Sequence, residues 1–310
     1  MILAILSLFI LLDSGHKILQ KYLSHRLPAA AITLGSFFIC TVVALVYQYE
    51  QRHSISFPQN GLLIAAIASV NATAAWLYLR AVKINLTRAT LLTPVITVIS
   101  LLLAVIFLGE WRLLNPTELP GACRLVGIIL GIAALGCFSI NRNNDKITQK
   151  SNETSATINA AGAVFLWGVT NFLLKYFALK AIPTDQFLTA WYPGAWLASL
   201  LIFTATGRLR FPTTPSKKLS APSPRLRHLI LIGMLGCLTI ANLGVTYYAL
   251  TLAPAVIVLS IHDLIQMGGG TLIGILLYSE RQHFRRQDSW GIISGIGATM
   301  LFTAATIMSR

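Results

Sequence analysis

Residues 91–112 read LLTPVITVISLLLAVIFLGEWR, and from Leu91 to Gly109 no residue is charged. As an α-helix those nineteen residues span about 28 Å, close to the hydrocarbon thickness of a bilayer. Pro94, near the start, lacks a backbone donor, so the sequence predicts a kink or opening there, with the freed carbonyl satisfied by neighbouring groups. The run stops at Gly109-Glu110. A second version, LIQMGGGTLIGILLYSER, occupies residues 264–281 and again ends on a small residue, Glu280 and a basic residue. Setting Glu110 on Glu280 places Tyr78 on Tyr248, which suggests one unit written twice.

Composition supports this outward reading. Only 11% of the 310 residues are charged, 55% are hydrophobic and mean hydropathy is +0.70. A water-soluble domain carries about a quarter charged residues, so the expected class is an all-α integral membrane protein with the lipid bilayer as its main partner. The net charge of +14 would point to nucleic acid in a soluble chain. Here the basic residues lie between apolar runs and suit a membrane surface instead. Cys40, Cys123, Cys137 and Cys237 sit inside apolar segments without metal-like spacing and read as small hydrophobes.

Ten apolar runs follow one another, at about 2–23, 28–47, 60–82, 86–109, 121–140, 158–179, 186–206, 228–250, 254–278 and 289–308. The polar stretch 141–157 divides them into a first unit, residues 1–140, and a second, residues 158–310. The other long polar join, 207–227, is rich in proline and basic residues. DSGHKILQKY at 13–22 compares with WGVTNFLLKY at 167–176, so Lys21-Tyr22 falls on Lys175-Tyr176. Five runs per unit is an odd number, so the second copy would enter the membrane from the opposite side as an inverted repeat. Eighteen of the 24 lysines and arginines fall at the joins after odd-numbered runs; the exceptions are Arg52, Arg112, Arg124, Lys175, Lys180 and Arg310. The positive-inside rule then puts those joins in the cytoplasm and both ends of the chain outside.

With this layout, the W-G-x-x-N-F-x-x-K run at 167–175 and the P…F-L-G-E-W run at 94–111, the chain resembles the drug/metabolite transporter superfamily, in its ten-helix EamA-like branch. The resemblance covers nearly the whole chain. It implies secondary transport of a small metabolite (an amino acid, a sugar or a related solute) through a central cavity and without ATP. Alternating access is what the inverted repeat would allow, and the expected location is the plasma (bacterial inner) membrane, with no cofactor expected.

Ionisable groups within apolar runs are the first candidates for chemistry, because charge at the bilayer centre is costly. Asp13 lies twelve residues into its run and Asp263 nine residues after Pro254, about 18 and 14 Å at helical rise. His16 is one turn from Asp13 and His262 adjoins Asp263, so these four are the candidate proton-coupling groups. An i, i+4 contact of Asp13 with Lys17 is the structural alternative. Candidate substrate contacts are Asn71, Trp76, Arg80, Thr93, Thr97, Trp167, Asn171, Tyr247 and Gln266, with Trp76 and Arg80 on one helix face. Gly268-Gly269-Gly270 reads either as a helix break or as close helix packing, and the Gly-x-x-x-Gly pairs at 127–131, 270–274 and 291–295 read as packing seams. Glu110 and Glu280 are expected to reach water from helix ends. No catalytic motif or metal constellation is present in the sequence, which argues against a membrane-embedded lipid enzyme. A non-transporting scaffold is the remaining alternative, expected to show a closed apolar seam where a transporter has a polar cavity.

Overall fold

A computed structural model describes residues 2–108, 114–139, 147–206, 224–252, 255–278, 280 and 286–308, with the backbone alone for some helical residues. Among the described residues all regular structure is helical. The order is α1 (Ile2–Ser24), α2 (Ala29–Arg52), α3 (Gly61–Ile84), α4 (Leu86–Leu91), α5 (Pro94–Leu108) and α6 (Leu119–Ser139). Then come α7 (Ile147–Leu179), α8 (Thr184–Thr206), α9 (Pro224–Leu252), α10 (Ala255–Leu277) and α11 (Arg286–Met308). Six stretches are long and apolar enough to cross a bilayer: Ala29–Arg52, Gly61–Ile84, Leu86–Phe107, Thr154–Leu179, Thr184–Thr206 and Leu226–Leu252. Large apolar side chains such as Leu11, Leu62, Phe107, Leu201 and Leu276 stand exposed on the outside of the bundle. Patches of that kind suit lipid and not water. The chain is a helical membrane protein.

Pro94 divides one apolar run into two helices. It occupies the first position of α5, where a missing N–H costs nothing. The acceptor it frees is the carbonyl of Thr90, and that oxygen is taken by the Thr93 backbone N–H at 3.1 Å and the Thr93 hydroxyl at 2.7 Å. Val95 and Ile96 then donate three residues back, to Leu92 and Thr93, which carries the chain through the break as a tight turn. The short α4 has its own start: Asn85 Oδ1 caps it by accepting from Arg88 N at 2.9 Å.

The polar stretch expected to be a linker is helical from Ile147, where it forms the opening turns of α7. The triple glycine does not interrupt α10, which runs through it from Ala255 to Leu277. Its packing role is visible instead: a Cβ on Gly270 would run into the Thr90 side chain, and one on Gly274 into Thr87 Oγ1 and, at 2.7 Å, Glu280 Oε2. Small residues here let α10 approach α4 closely. Tyr78 is fully buried, but its sequence counterpart Tyr248 is half exposed; the buried tyrosine of α9 is Tyr247. Of the cysteines, Cys40 is buried with its thiol directed to the Gly236 carbonyl, while Cys237 is exposed on the apolar exterior.

Packing runs mainly between the early and the late helices. α1 lies against α9 and α10, α2 against α8 and α9, and α3 against α7 and α8. α4 packs on α10, α5 on α7, and α6 on α11. The largest core cluster accordingly mixes Phe37, Ile64 and Ala68 with Phe177, Trp191, Tyr192 and Tyr247.

Candidate functional site

Where these helices meet they leave a cavity of about 140 Å³, walled by α1, α2, α3, α5, α7, α8, α9 and α10. That volume is close to that of an engineered apolar cavity able to hold one benzene ring. Much of this wall is apolar too, but polar side chains converge on it from several helices. His16 and Gln20 enter from α1, Asn71 from α3, Asn171 from α7, Asn242 from α9, and His262 with Gln266 from α10. Trp167, Phe37 and Tyr192 supply aromatic surface. In a chain this apolar, such convergence of amides and imidazoles makes this cavity the candidate site for a polar solute.

The hydrogen bonds fix the states of several groups. Thr239 donates its hydroxyl proton to Leu235 O at 2.8 Å, so toward His16 Nε2, 3.0 Å away, it acts as acceptor. The tautomer of His16 that matches this arrangement carries its proton on Nε2 and leaves Nδ1 as an acceptor. His262 Nε2 lies 3.3 Å from Asn242 Oδ1 and 3.2 Å from Gln266 Nε2. One nitrogen cannot donate to the first and accept from the second together, so a change of tautomer moves His262 from one partner to the other. Phe9 holds the ring edge-on, with centroids 5.5 Å apart. Gln20 Oε1 and Gln266 Oε1 are buried and have no hydrogen-bond partner among the described residues.

Of the candidates from the sequence, Asn71, Trp167, Asn171, Gln266, His16 and His262 line this cavity. Trp76 and Arg80 do stack, with the guanidinium 4.9 Å from the ring centroid, but Arg80 is exposed and neither residue lines the cavity. Thr93 closes the Pro94 break as described, and Thr97 is buried in α5 outside the lining. Tyr247 is a core residue: its ring stacks on Phe187 at 3.9 Å and its hydroxyl donates to Ile182 O at 3.0 Å. Asp13 is buried one turn from His16, with neither carboxylate oxygen in a hydrogen bond among the described residues. Asp263 lies on α10, and its side chain is outside the described residues, as is Glu110. Gln20, Thr33, Ser36, Tyr192, Thr239, Asn242 and Thr246 were not anticipated. Their signal was available as polar residues spaced three and four apart within apolar runs, Thr33-Ser36 on α2 and Thr239-Asn242-Thr246 on α9.

A second polar cluster lies at the end of α1. Glu280, expected to reach water, is buried and forms an ion pair with Lys21 at 2.7 Å. Its oxygens also accept from Leu86 N at 3.0 Å, Thr87 N at 2.8 Å and the Thr87 hydroxyl at 2.7 Å. The carboxylate thus sits on the N-terminus of α4, where unpaired N–H groups favour an anion. Lys21 also donates to Val82 O at the end of α3, at 2.9 Å. Nearby, Lys17 Nζ donates to the Tyr78 hydroxyl at 2.9 Å and lies 4.5 Å from the centroid of that ring.

No protein-family profile matches the chain, and no curated protein does. Among solved structures it is similar to a crystal structure of a protein at a TM-score of 0.56, with 14% identity over 99% of this chain and 98% of that one. At that identity the likeness shows a shared arrangement of helices across the whole chain.

Proposed function

We propose that this protein is a secondary transporter of the drug/metabolite type, carrying a small polar metabolite across the plasma membrane by alternating access. The observation that carries the proposal is the cavity between the early and late helices, on which buried amides and imidazoles converge. A scaffold has no use for buried amides and imidazoles around a void, since each costs free energy unless something hydrogen-bonds to it. In this reading the chain crosses the membrane ten times, with α4 and α5 forming one crossing, and residues 1–140 and 158–310 are inverted repeats.

The packing pairs support that symmetry. Exchanging the two halves turns the contact of α1 with α9 into that of α7 with α3, α2 with α9 into α8 with α3, and α1 with α10 into α7 with α5. The pairs α2–α8, α4–α10 and α6–α11 map onto themselves. Lys21 donating to Val82 O near the end of α3 is echoed by Lys175 donating to Leu250 O near the end of α9, at 3.4 Å. Two halves related in this way can rock about a central site and open it to either side in turn. The ion pair of Lys21 with Glu280 ties α1 to the chain following α10 and would part when that end opens. Asp13 and Asp263, with His16 and His262 beside them, are the groups assigned to a coupling proton; a counter-solute would serve the same cycle by exchange.

Metabolite profiling of cells and medium, with and without expression, tests the proposal. A specific small solute should be redistributed across the membrane by the unmutated protein, and Asn171→Leu with Gln266→Leu should abolish this while leaving the protein folded. Identical profiles for expressing and non-expressing cells, together with no solute flux in vesicles, would return the scaffold reading.

A further inference from the structure

The hydroxyl groups of the cavity wall all point their protons the same way. Thr33 donates to Ala30 O at 3.0 Å, Ser36 to Ile32 O at 2.8 Å, Thr239 to Leu235 O at 2.8 Å and Thr246 to Asn242 O at 2.8 Å. A hydroxyl has one proton, so each of these residues offers the cavity lone pairs only. Gln20 Oε1 and Gln266 Oε1 add two buried carbonyl acceptors without partners. The donors available on the wall are the carboxamide N–H groups, those of Asn71 and Asn171 among them, and the Trp167 indole N–H. Apart from the two imidazoles, no described lining residue is acidic or basic.

We infer that the cavity takes a small uncharged polyol, a solute whose hydroxyl groups donate to these acceptors and accept from the asparagine amides. A carboxylate or phosphate would face lone pairs on most sides. An ammonium would satisfy the acceptors but would be buried without a described counter-charge in the wall, which is costly. Hydroxyl groups use both kinds of wall atom and leave no buried charge. The face of Trp167 and the ring of Phe37 provide apolar surface for the carbon skeleton, and the volume is that of a single six-membered ring or a five-carbon chain. Gln20 and Gln266 are the specificity-determining residues in this scheme, because their carbonyls gain a hydrogen bond only from a solute donor. The inference rests on the cavity being the transport site proposed above.

The test uses the full chain purified into lipid nanodiscs, with equilibrium binding of three probes: ribitol, glutamate and putrescine. Ribitol should bind and the two charged probes should fail to compete with it. Gln20→Leu and Gln266→Leu should each weaken ribitol about tenfold, the loss of one hydrogen bond. Gln20→Leu should not lower the melting temperature, since its Oε1 has no partner among the described residues, whereas Gln266→Leu also loses the contact of Nε2 with His262 at 3.2 Å and should cost a little stability. Competition by glutamate or putrescine equal to that by unlabelled ribitol would overturn the inference, and so would ribitol affinity indifferent to both substitutions. Uptake of labelled probes into vesicles separates the two claims. Ribitol binding without flux removes the transporter reading and keeps the ligand class; flux of a charged probe without ribitol binding does the reverse.

Discussion

The carboxylate of Glu280 is held by Lys21, by the Thr87 hydroxyl and by two backbone N–H groups that open α4. Burial pushes its pKa up, but the Lys21 ammonium and the Thr87 hydrogen bonds outweigh burial and keep the carboxyl below the ordinary value of 4.5. Glu280→Gln would leave the Lys21 ammonium buried without its partner and turn an amide N–H₂ toward donors. The expected loss is on the order of 3–5 kcal/mol, read as a large drop in melting temperature in detergent. The linkage has a definite sign. A carboxyl whose folded pKa is depressed stabilises the fold above its unfolded pKa, and that contribution disappears as pH falls through the folded value. Acidifying below about 4.5 should therefore destabilise the unmutated protein, with a much flatter slope in Glu280→Gln; equal slopes would place the acid sensitivity elsewhere. Sequence marked Glu280 as a landmark but not as a cap, because the helix end it covers is 193 residues away along the chain. The reverse case is Arg80, whose i, i+4 stacking on Trp76 was legible. That pair tells nothing of the cavity, so Arg80→Ala should leave ribitol affinity within about twofold.

At the scale of helices, period and length located a helix in each apolar run but not the start of α7, which begins at Ile147 within the stretch read as a linker, and Pro94 was enough to place the break between α4 and α5. What a single helix cannot announce is which of its faces meets a void. Thr33 and Ser36 sit on α2, a run that supplied no candidate contact, and they reach the cavity because α8 and α9 pack around it. The glycines of α10 pose the same problem, since their spacing allowed either a hinge or a seam. The structure separates them: Gly268 has open space where a Cβ would stand, while Gly274 is pressed on Thr87 and Glu280. Gly268→Ala should therefore be neutral or stabilising by up to about 1 kcal/mol from helix propensity. Gly274→Ala should cost about 1–3 kcal/mol or more, from overpacking against α4. Melting both variants decides the matter: if Gly268→Ala alone abolished solute flux while melting normally, α10 would be bending at the triple glycine after all.

For the molecule as a whole, the proposed inverted arrangement makes a demand that a static scaffold does not. Lys21 secures the end where α1, α3 and α10 finish, through Glu280 and Val82 O, and Lys175 secures the end where α7 and α9 finish, through Leu250 O. In the orientation expected from the distribution of basic residues, the first end would face the cytoplasm and the second outward. Loosening one end should favour the conformer open on that side at the expense of the other, because the two forms share one population. Ser36 lines the cavity and is buried, so a cysteine placed there reports which side has access. In a background with the four native cysteines replaced, Ser36→Cys would be treated with a membrane-impermeant maleimide on intact cells and on inside-out vesicles. Lys21→Met should raise labelling from the cytoplasmic side and lower it from the outside, and Lys175→Met should do the opposite. A shift of a few kcal/mol is enough to reverse which form predominates, so the changes should be several-fold. Labelling that rose from both sides for either variant would mean a leak through a damaged bundle, and labelling unchanged by both would mean that these lysines hold helices together without governing access.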